Sequence, residues 1–93
     1  MPRVIDNHNE QRYELREGEQ LVGTLTYRVR PDRVTLVHTE VDPAYEGKGM
    51  GSRLVRGAID DIRERGLKLV PRCEFVQAYL ARHPELSDLV VPR

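Results

Sequence analysis

The spacing of apolar residues along this chain changes from that of strands to that of a helix near residue 50, and the change restricts the folds open to it. Before that point apolar side chains recur at every second position, as they do on the buried face of a β-strand. Three alternating segments at 12–16, 21–29 and 34–41 are separated by turn residues around Gly18 and Pro31, which predicts an antiparallel meander. The core-directed face of the middle segment is predicted to carry Leu21, Gly23, Leu25, Tyr27 and Val29.

After residue 50 the apolar residues follow helical spacing. Residues 50–65 place an apolar stripe opposite mostly charged positions, which predicts an amphipathic helix of about four turns. A short apolar run at 67–70 predicts a strand beside 34–41, and 74–83 predicts a second helix with Phe75 on its buried face. This order of elements predicts an α+β (mixed α/β) domain whose strand–helix–strand unit is a right-handed crossover between parallel strands. The stripe of the first helix comprises Met50, Leu54, Val55, Ala58, Ile59 and Ile62.

Length, charge and cysteine content narrow the class of protein. A chain of 93 residues suits one domain over 1–93 and leaves no room for two. Basic and acidic residues number 15 each and are interspersed, which argues against a nucleic-acid partner. A single cysteine, Cys73, excludes an intramolecular disulfide and fits a reducing, cytoplasmic setting. No apolar run approaches the roughly 20 residues that span a bilayer, and no Cys/His cluster has metal-ligand spacing, so neither a membrane partner nor a metal is expected.

Three alternating glycines, Gly47, Gly49 and Gly51, stand between the third strand and the first helix. Glycine lets a backbone approach a ligand closely, and a helix start offers unpaired N–H groups and partial positive charge that suit a phosphate. Lys48 adds a mobile cation. The spacing is neither that of a Walker loop nor that of the G-x-G-x-x-G dinucleotide fingerprint. At this level a tight turn without a ligand is an equal alternative.

The residues around these glycines resemble a known signature. The segment 41–43, followed by 47–51 and Leu54, is similar to the acetyl-coenzyme A signature of the GNAT superfamily, although Glu46 stands where that signature usually has Gln or Arg. Motifs at 38–41, 71–76 and 83–85 further resemble a subgroup of very short GNAT-like proteins. The resemblance implies that acetyl-coenzyme A is held by the loop and by the splayed end of the third strand. The binding residues so implied are Val41, Glu46, Gly47, Lys48, Gly49, Met50, Gly51 and Ser52.

Three side chains are candidates for catalysis. Cys73 opens the second helix after Arg72, and a helix start and a guanidinium both favour a thiolate, which could accept an acetyl group or act as a base. The short-GNAT resemblance also implies a nucleophile at Cys73, while a small buried core residue is the equal alternative. His38 and Glu40 are two apart on a strand and share a face, so either could take a proton from an attacking ammonium group. Their structural alternatives are a hydrogen-bonded sheet histidine and a charge at the sheet rim.

Taken with the resemblance, these residues predict an acetyl-coenzyme A-dependent N-acetyltransferase acting on an amine of a protein, peptide or small molecule. Larger GNAT enzymes shape the acceptor site with helices near the N-terminus, whereas this chain enters its strands almost directly. An open acceptor face would suit a protein or peptide amine. The alternative is a non-catalytic module that binds or senses coenzyme A, and a weaker third reading is an interaction domain with a degenerate loop.

Overall fold

The computed structural model describes residues 2–91, which form one mixed sheet with two α-helices on it. The five strands lie in the order in which they occur in the chain, and each neighbouring pair is antiparallel except the last, which is parallel. The predicted α+β order of meander, helix, strand and helix is therefore confirmed. The strands are β1 (Arg3–Asn7), β2 (Arg12–Glu17), β3 (Gln20–Val29), β4 (Arg33–Val41) and β5 (Lys68–Pro71), and the helices are α1 (Met50–Glu64) and α2 (Glu74–Ala81).

The core lies between one face of the sheet and the helices, which contact each other. Helix α1 contacts all five strands. Five of the six residues in its predicted stripe are fully buried, and Met50 packs partly buried against the cluster. Burying one aliphatic side chain of this size stabilises the fold by roughly 1.5–3 kcal/mol. No helix among residues 2–91 is long and apolar enough to cross a membrane.

A bulge in β3 changes which of its side chains face the core. The pairing with β2 shifts between Leu15 and Arg16, so that Val22 is an extra residue on β3. Val22 is buried, although strict alternation assigns it to the other face. The predicted face was correct for Gly23, Leu25 and Tyr27 but wrong at its ends. Leu21 is only partly buried, because the bulge at Val22 separates it from the alternating run that starts at Gly23, and Val29 is exposed.

A second bulge, in β4, sets the direction of the side chains near its end. The pairing with β3 shifts so that Val37 is the extra residue between Leu36 and His38. Leu36 is buried against the helices, and strict alternation from it would also turn His38 and Glu40 inward. The bulge reverses the phase, so Thr39 faces the helices while His38 and Glu40 face solvent.

Strand β5 pairs along its whole length, but only with the first four residues of β4. Their register runs from Arg33 opposite Lys68 to Leu36 opposite Pro71. The backbone N–H groups of Arg72 and Cys73 both donate to the Leu36 carbonyl, at 3.0 and 3.1 Å, and the chain then turns into α2. Within the described chain, residues 37–41 of β4 therefore have β3 on one side and no strand on the other.

The second half of the chain departs from the sequence prediction in two places. Helix α2 ends at Ala81 rather than at residue 83, because the chain turns at Arg82 and the residue before Pro84 avoids the helical region. Residues Pro84–Leu89 form a 3-10 helix that the sequence pattern does not predict. Leu86 and Leu89 from this segment are buried in the core.

Candidate functional site

A cavity of about 440 Å³, called here the loop cavity, opens between β4, the start of α1 and α2. Seven of the eight residues predicted to bind the cofactor line it, and the exception is Lys48, whose ammonium lies 5.8 Å from the centre of the Tyr45 ring. The lining residues are Thr39, Val41, Tyr45, Glu46, Gly47, Gly49, Met50, Gly51, Ser52, Phe75 and Arg82.

Gly47 and Gly49 form an exposed backbone cradle in this cavity. Their φ angles are +79° and +75°, a region that residues with a side chain rarely adopt. No atom lies within 4 Å of the position that a Cβ would take at either residue. The backbone is therefore accessible from the cavity, and a side chain at either position would occupy space that is open to a ligand.

The start of α1 adjoins this cradle without a side-chain cap. Gly49 is the N-cap, so it can offer no side-chain oxygen, and the first turn carries no acidic residue. The first N–H groups of a helix have no intrahelical partner, and in most helices a Ser, Thr, Asp or Asn side chain satisfies one of them. Here these donors, together with the positive end of a 15-residue helix dipole, are available to an anion.

Gly51 is a glycine for a different reason, namely the contact between α1 and α2. A Cβ at Gly51 would lie 2.6 Å from Cζ of Phe75, so only glycine lets the ring lie at its present distance. The helical spacing of 74–83 predicts Phe75 on the buried face of α2, which is wrong, because Phe75 is 41% exposed. The ring instead forms a wall of the loop cavity.

Sequence reasoning missed four residues that line the loop cavity. Two of them, Phe75 and Arg82, are seven residues apart, and this spacing puts them on one face of a helix. That spacing was readable in the sequence, but nothing there indicated that the face would meet the start of α1. The other two are Thr39 and Tyr45. Tyr45 ends a 3-10 turn (Pro43–Tyr45) in which the Asp42 side chain accepts from the N–H of Ala44 at 2.9 Å.

The three predicted catalytic residues do not come together. Cys73 is the N-cap of α2, is 7% exposed, and its Sγ lies 3.2 Å from Oγ1 of Thr39. His38 and Glu40 are exposed on the opposite face of β4, with Nε2 and Oε2 3.2 Å apart. The structure thus pairs His38 with Glu40 and Cys73 with Thr39, and β4 separates the two pairs. Residues 2–91 contain no group of three or more His, Cys, Asp or Glu side chains able to hold a metal ion.

A second cavity of about 580 Å³, called here the strand cavity, lies at the ends of β3 and β4. It shares Thr39, Val41 and Glu46 with the loop cavity, so the two spaces adjoin across the end of β4. The charged residues that line it are all acidic: Glu40, Asp42 and Glu46. A positively charged group would be favoured in this cavity over an anion.

Comparisons with known proteins agree with one another. The family model for GCN5-related N-acetyl-transferase matches residues 12–89. Protein NATD1 of Gallus gallus and that of Homo sapiens are each 39% identical to the chain over 51 residues, which is 55% of this chain and 46% and 45% of theirs. The match therefore spans just under half the length of these relatives.

Two solved structures have a similar fold. A GCN5-like protein from Staphylococcus aureus superposes with a TM-score of 0.71 at 22% identity, covering 98% of this chain and 89% of that one. The ribosomal-protein-S18-alanine N-acetyltransferase of Escherichia coli superposes with a TM-score of 0.58 at 28% identity, covering 64% of this chain and 41% of that one. The first likeness supports the fold of the whole described chain, and the second supports part of it.

Proposed function

Since this chain belongs to the family of GCN5-related N-acetyltransferases, we propose that it binds acetyl-coenzyme A in the loop cavity and transfers the acetyl group to an amine of a protein, peptide or small molecule. The observation that carries the proposal is the uncapped start of α1 beside the open backbone of Gly47 and Gly49. Coenzyme A is rich in phosphate, and backbone N–H donors at a helix start match that chemistry without any side chain.

The residues of the loop cavity fit the other parts of this cosubstrate as well. The free side of β4 at residues 37–41 offers backbone groups to an amide-containing arm. Phe75 and Met50 supply apolar walls, and Val41 lies between the two cavities. When bound, acetyl-coenzyme A supplies a thioester carbonyl that an amine can attack.

Glu40 is proposed as the group that takes the proton of the acceptor. An amine is protonated near neutral pH and must lose a proton before it can attack. Glu40 lines the strand cavity, and its carboxylate is held 3.2 Å from His38, which can pass the proton to solvent. The acidic lining of that cavity favours a positively charged amine as the acceptor.

Cys73 is the alternative nucleophile, and its surroundings do not favour that role. Its thiol is largely covered and contacts the hydroxyl of Thr39, and Thr39 lines the loop cavity whereas Cys73 does not. This arrangement favours direct attack by the amine over an acetyl-cysteine route. A covered thiol is also consistent with the alternative function, a module that binds coenzyme A without transferring the acetyl group.

The binding part of the proposal is tested by Gly49→Val with Gly18→Val as the matched control. Both glycines have positive φ and open space around a Cβ, so the backbone strain of about 1–2 kcal/mol is similar. Only Gly49 lines the loop cavity. Calorimetric titration with coenzyme A should show a loss of about tenfold or more in affinity for Gly49→Val and wild-type affinity for Gly18→Val. Equal affinities for the two variants would remove the loop from the site.

Transfer is tested separately, with acetyl-coenzyme A and a panel of amines and peptides. The proposal expects acetylated product, with cationic acceptors preferred over neutral ones. Intact-protein mass spectrometry after incubation without an acceptor reports whether Cys73 carries an acetyl group. Coenzyme A binding without product or adduct across the panel would support the binding module instead.

A further inference from the structure

Arg82 is the one basic side chain that lines the loop cavity within residues 2–91. Six other arginines are held in ion pairs: Arg12, Arg16, Arg33, Arg56, Arg63 and Arg65. The guanidinium of Arg82, by contrast, has no hydrogen-bond or ion-pair partner in the described part of the chain. Its only hydrogen bonds there are those of its backbone N–H to the end of α2. A charged fork directed to a cavity without a partner is suited to a ligand anion.

Arg82 lies apart from the backbone cradle of Gly47 and Gly49. The residue follows α2 directly and keeps helical dihedrals, with φ −86° and ψ −7°. Phe75, which contacts Gly51 at the start of α1, lies seven residues earlier on the same face, or about 10 Å along the helix. The loop cavity therefore has two groups that favour an anion, the N–H groups at the start of α1 and the guanidinium of Arg82 after α2.

Coenzyme A carries two separate phosphate centres, the diphosphate of the pantetheine arm and a phosphate on the 3′ position of the ribose. We propose that Arg82 recognises the 3′-phosphate while the loop takes the diphosphate, which makes the site selective for coenzyme A over 3′-dephospho-coenzyme A. This inference rests on the proposed binding of coenzyme A in the loop cavity. Glu46 lies on the wall of the same cavity and repels phosphate, so a guanidinium there also restores the charge balance of the site.

Calorimetric titration with coenzyme A and with 3′-dephospho-coenzyme A tests the proposal. Wild type should bind coenzyme A about fivefold more tightly than the dephospho form, as expected for an ion pair made by an exposed arginine. Arg82→Ala should lower the affinity for coenzyme A to that for the dephospho form and leave the latter unchanged. Arg82→Lys should keep part of the preference, because it keeps the charge but loses the planar fork.

Arg30→Ala is the matched control, because it removes the same charge from an exposed residue of the β3–β4 turn that does not line the loop cavity. It should bind both ligands as wild type does. Circular dichroism melts of Arg82→Ala check that losing a cation at the end of α2 leaves the fold intact.

Three results would overturn the inference, and they are separable. Equal affinity of wild type for both ligands would overturn it without any variant. An equal loss for both ligands in Arg82→Ala would show that the guanidinium stacks on the adenine or acts on another part of the ligand. Binding of neither ligand by wild type would remove the proposed function itself, and the inference with it.

Discussion

The side chains on the two faces of the sheet are stabilised by different interactions. The face covered by α1 and α2 is filled with apolar residues that are almost completely buried. The opposite face has no helix on it among residues 2–91 and is mostly polar, yet it contains a carboxylate, that of Glu14, which is only 2% exposed. Glu14 is covered by its own ion-pair partners on β2, Arg12 and Arg16, with Nε atoms at 2.8 and 3.1 Å.

The difference shows where the fold gains stability and where it is free to carry function. Apolar burial on the covered face requires only hydrophobic side chains of about the right size. On the open face a covered polar group such as Glu14 needs specific partners, whereas His38 and Glu40 are exposed to water and contact each other. His38 and Glu40, the candidate groups for proton transfer, thus lie on the face that contributes less to the core.

The covered face should be broken by a single charge. Ile62→Asp puts a carboxylate at a fully buried position of α1, where no partner is available to it. A domain of this size has a free energy of unfolding of about 5–10 kcal/mol, and the buried charge should lower that free energy by several kcal/mol. We expect the variant to be unfolded or nearly so at 25 °C by circular dichroism. Glu64→Asp, at an exposed position of the same helix, should melt within a few degrees of wild type, and similar melting of both variants would contradict the packing of α1.

The open face should respond more weakly, through the cluster of Glu14. Glu14→Gln keeps the shape of the side chain but removes the charge that accepts from Asn7, Arg12 and Arg16. The free energy of unfolding should fall by about 1–3 kcal/mol at pH 7. Urea denaturation measures the change. An unchanged midpoint would mean that the charge of Glu14 makes no net contribution to the free energy of unfolding, which is the case for many surface ion pairs.

The pH dependence of this variant separates charge from shape. Burial by itself raises the pKa of Glu14, but hydrogen bonds from Asn7, Arg12 and Arg16 outweigh it and hold the pKa below its ordinary value of 4.5. A carboxyl with a lowered folded pKa adds stability above its unfolded pKa, and loses it as pH falls through the folded pKa. The gap between wild type and Glu14→Gln should therefore be constant from pH 7 down to about 5 and narrow below 4.5. A gap that stays constant to pH 3 would assign the effect to packing.

The covered face was also the part of the molecule most open to prediction from sequence. Helical spacing from Met50 to Ile62 predicted where α1 lies in the chain and which of its faces is buried, because a helix with one apolar stripe buries that stripe against the core. The bulges at Val22 and Val37 could not be read in the same way. An extra residue in a strand is fixed by its partner strand and by the turn between them, and neither is encoded in local alternation.

The candidate site divides along the same line. The loop glycines were recognisable, because positive φ and close approach to a ligand both require glycine. Phe75 and Arg82 were not, since their role depends on how closely α2 meets the start of α1. That distance is set by the tertiary contact at Gly51, which joins the covered face to the loop cavity.

Gly51→Ala, at this junction, should have the smallest effect, and its sign should depend on Phe75. In the wild-type background the new methyl group meets the far end of a ring that is free to move, so we expect a loss of about 1 kcal/mol or less. In a Phe75→Ala background the obstacle is gone, and alanine is favoured over glycine in a helix by up to about 1 kcal/mol, so the same change should stabilise. Urea denaturation of the four proteins gives the coupling between the two positions. Zero coupling would mean that the ring does not rest on Gly51 in solution, and that α2 borders the loop cavity less closely than the contact at Gly51 indicates.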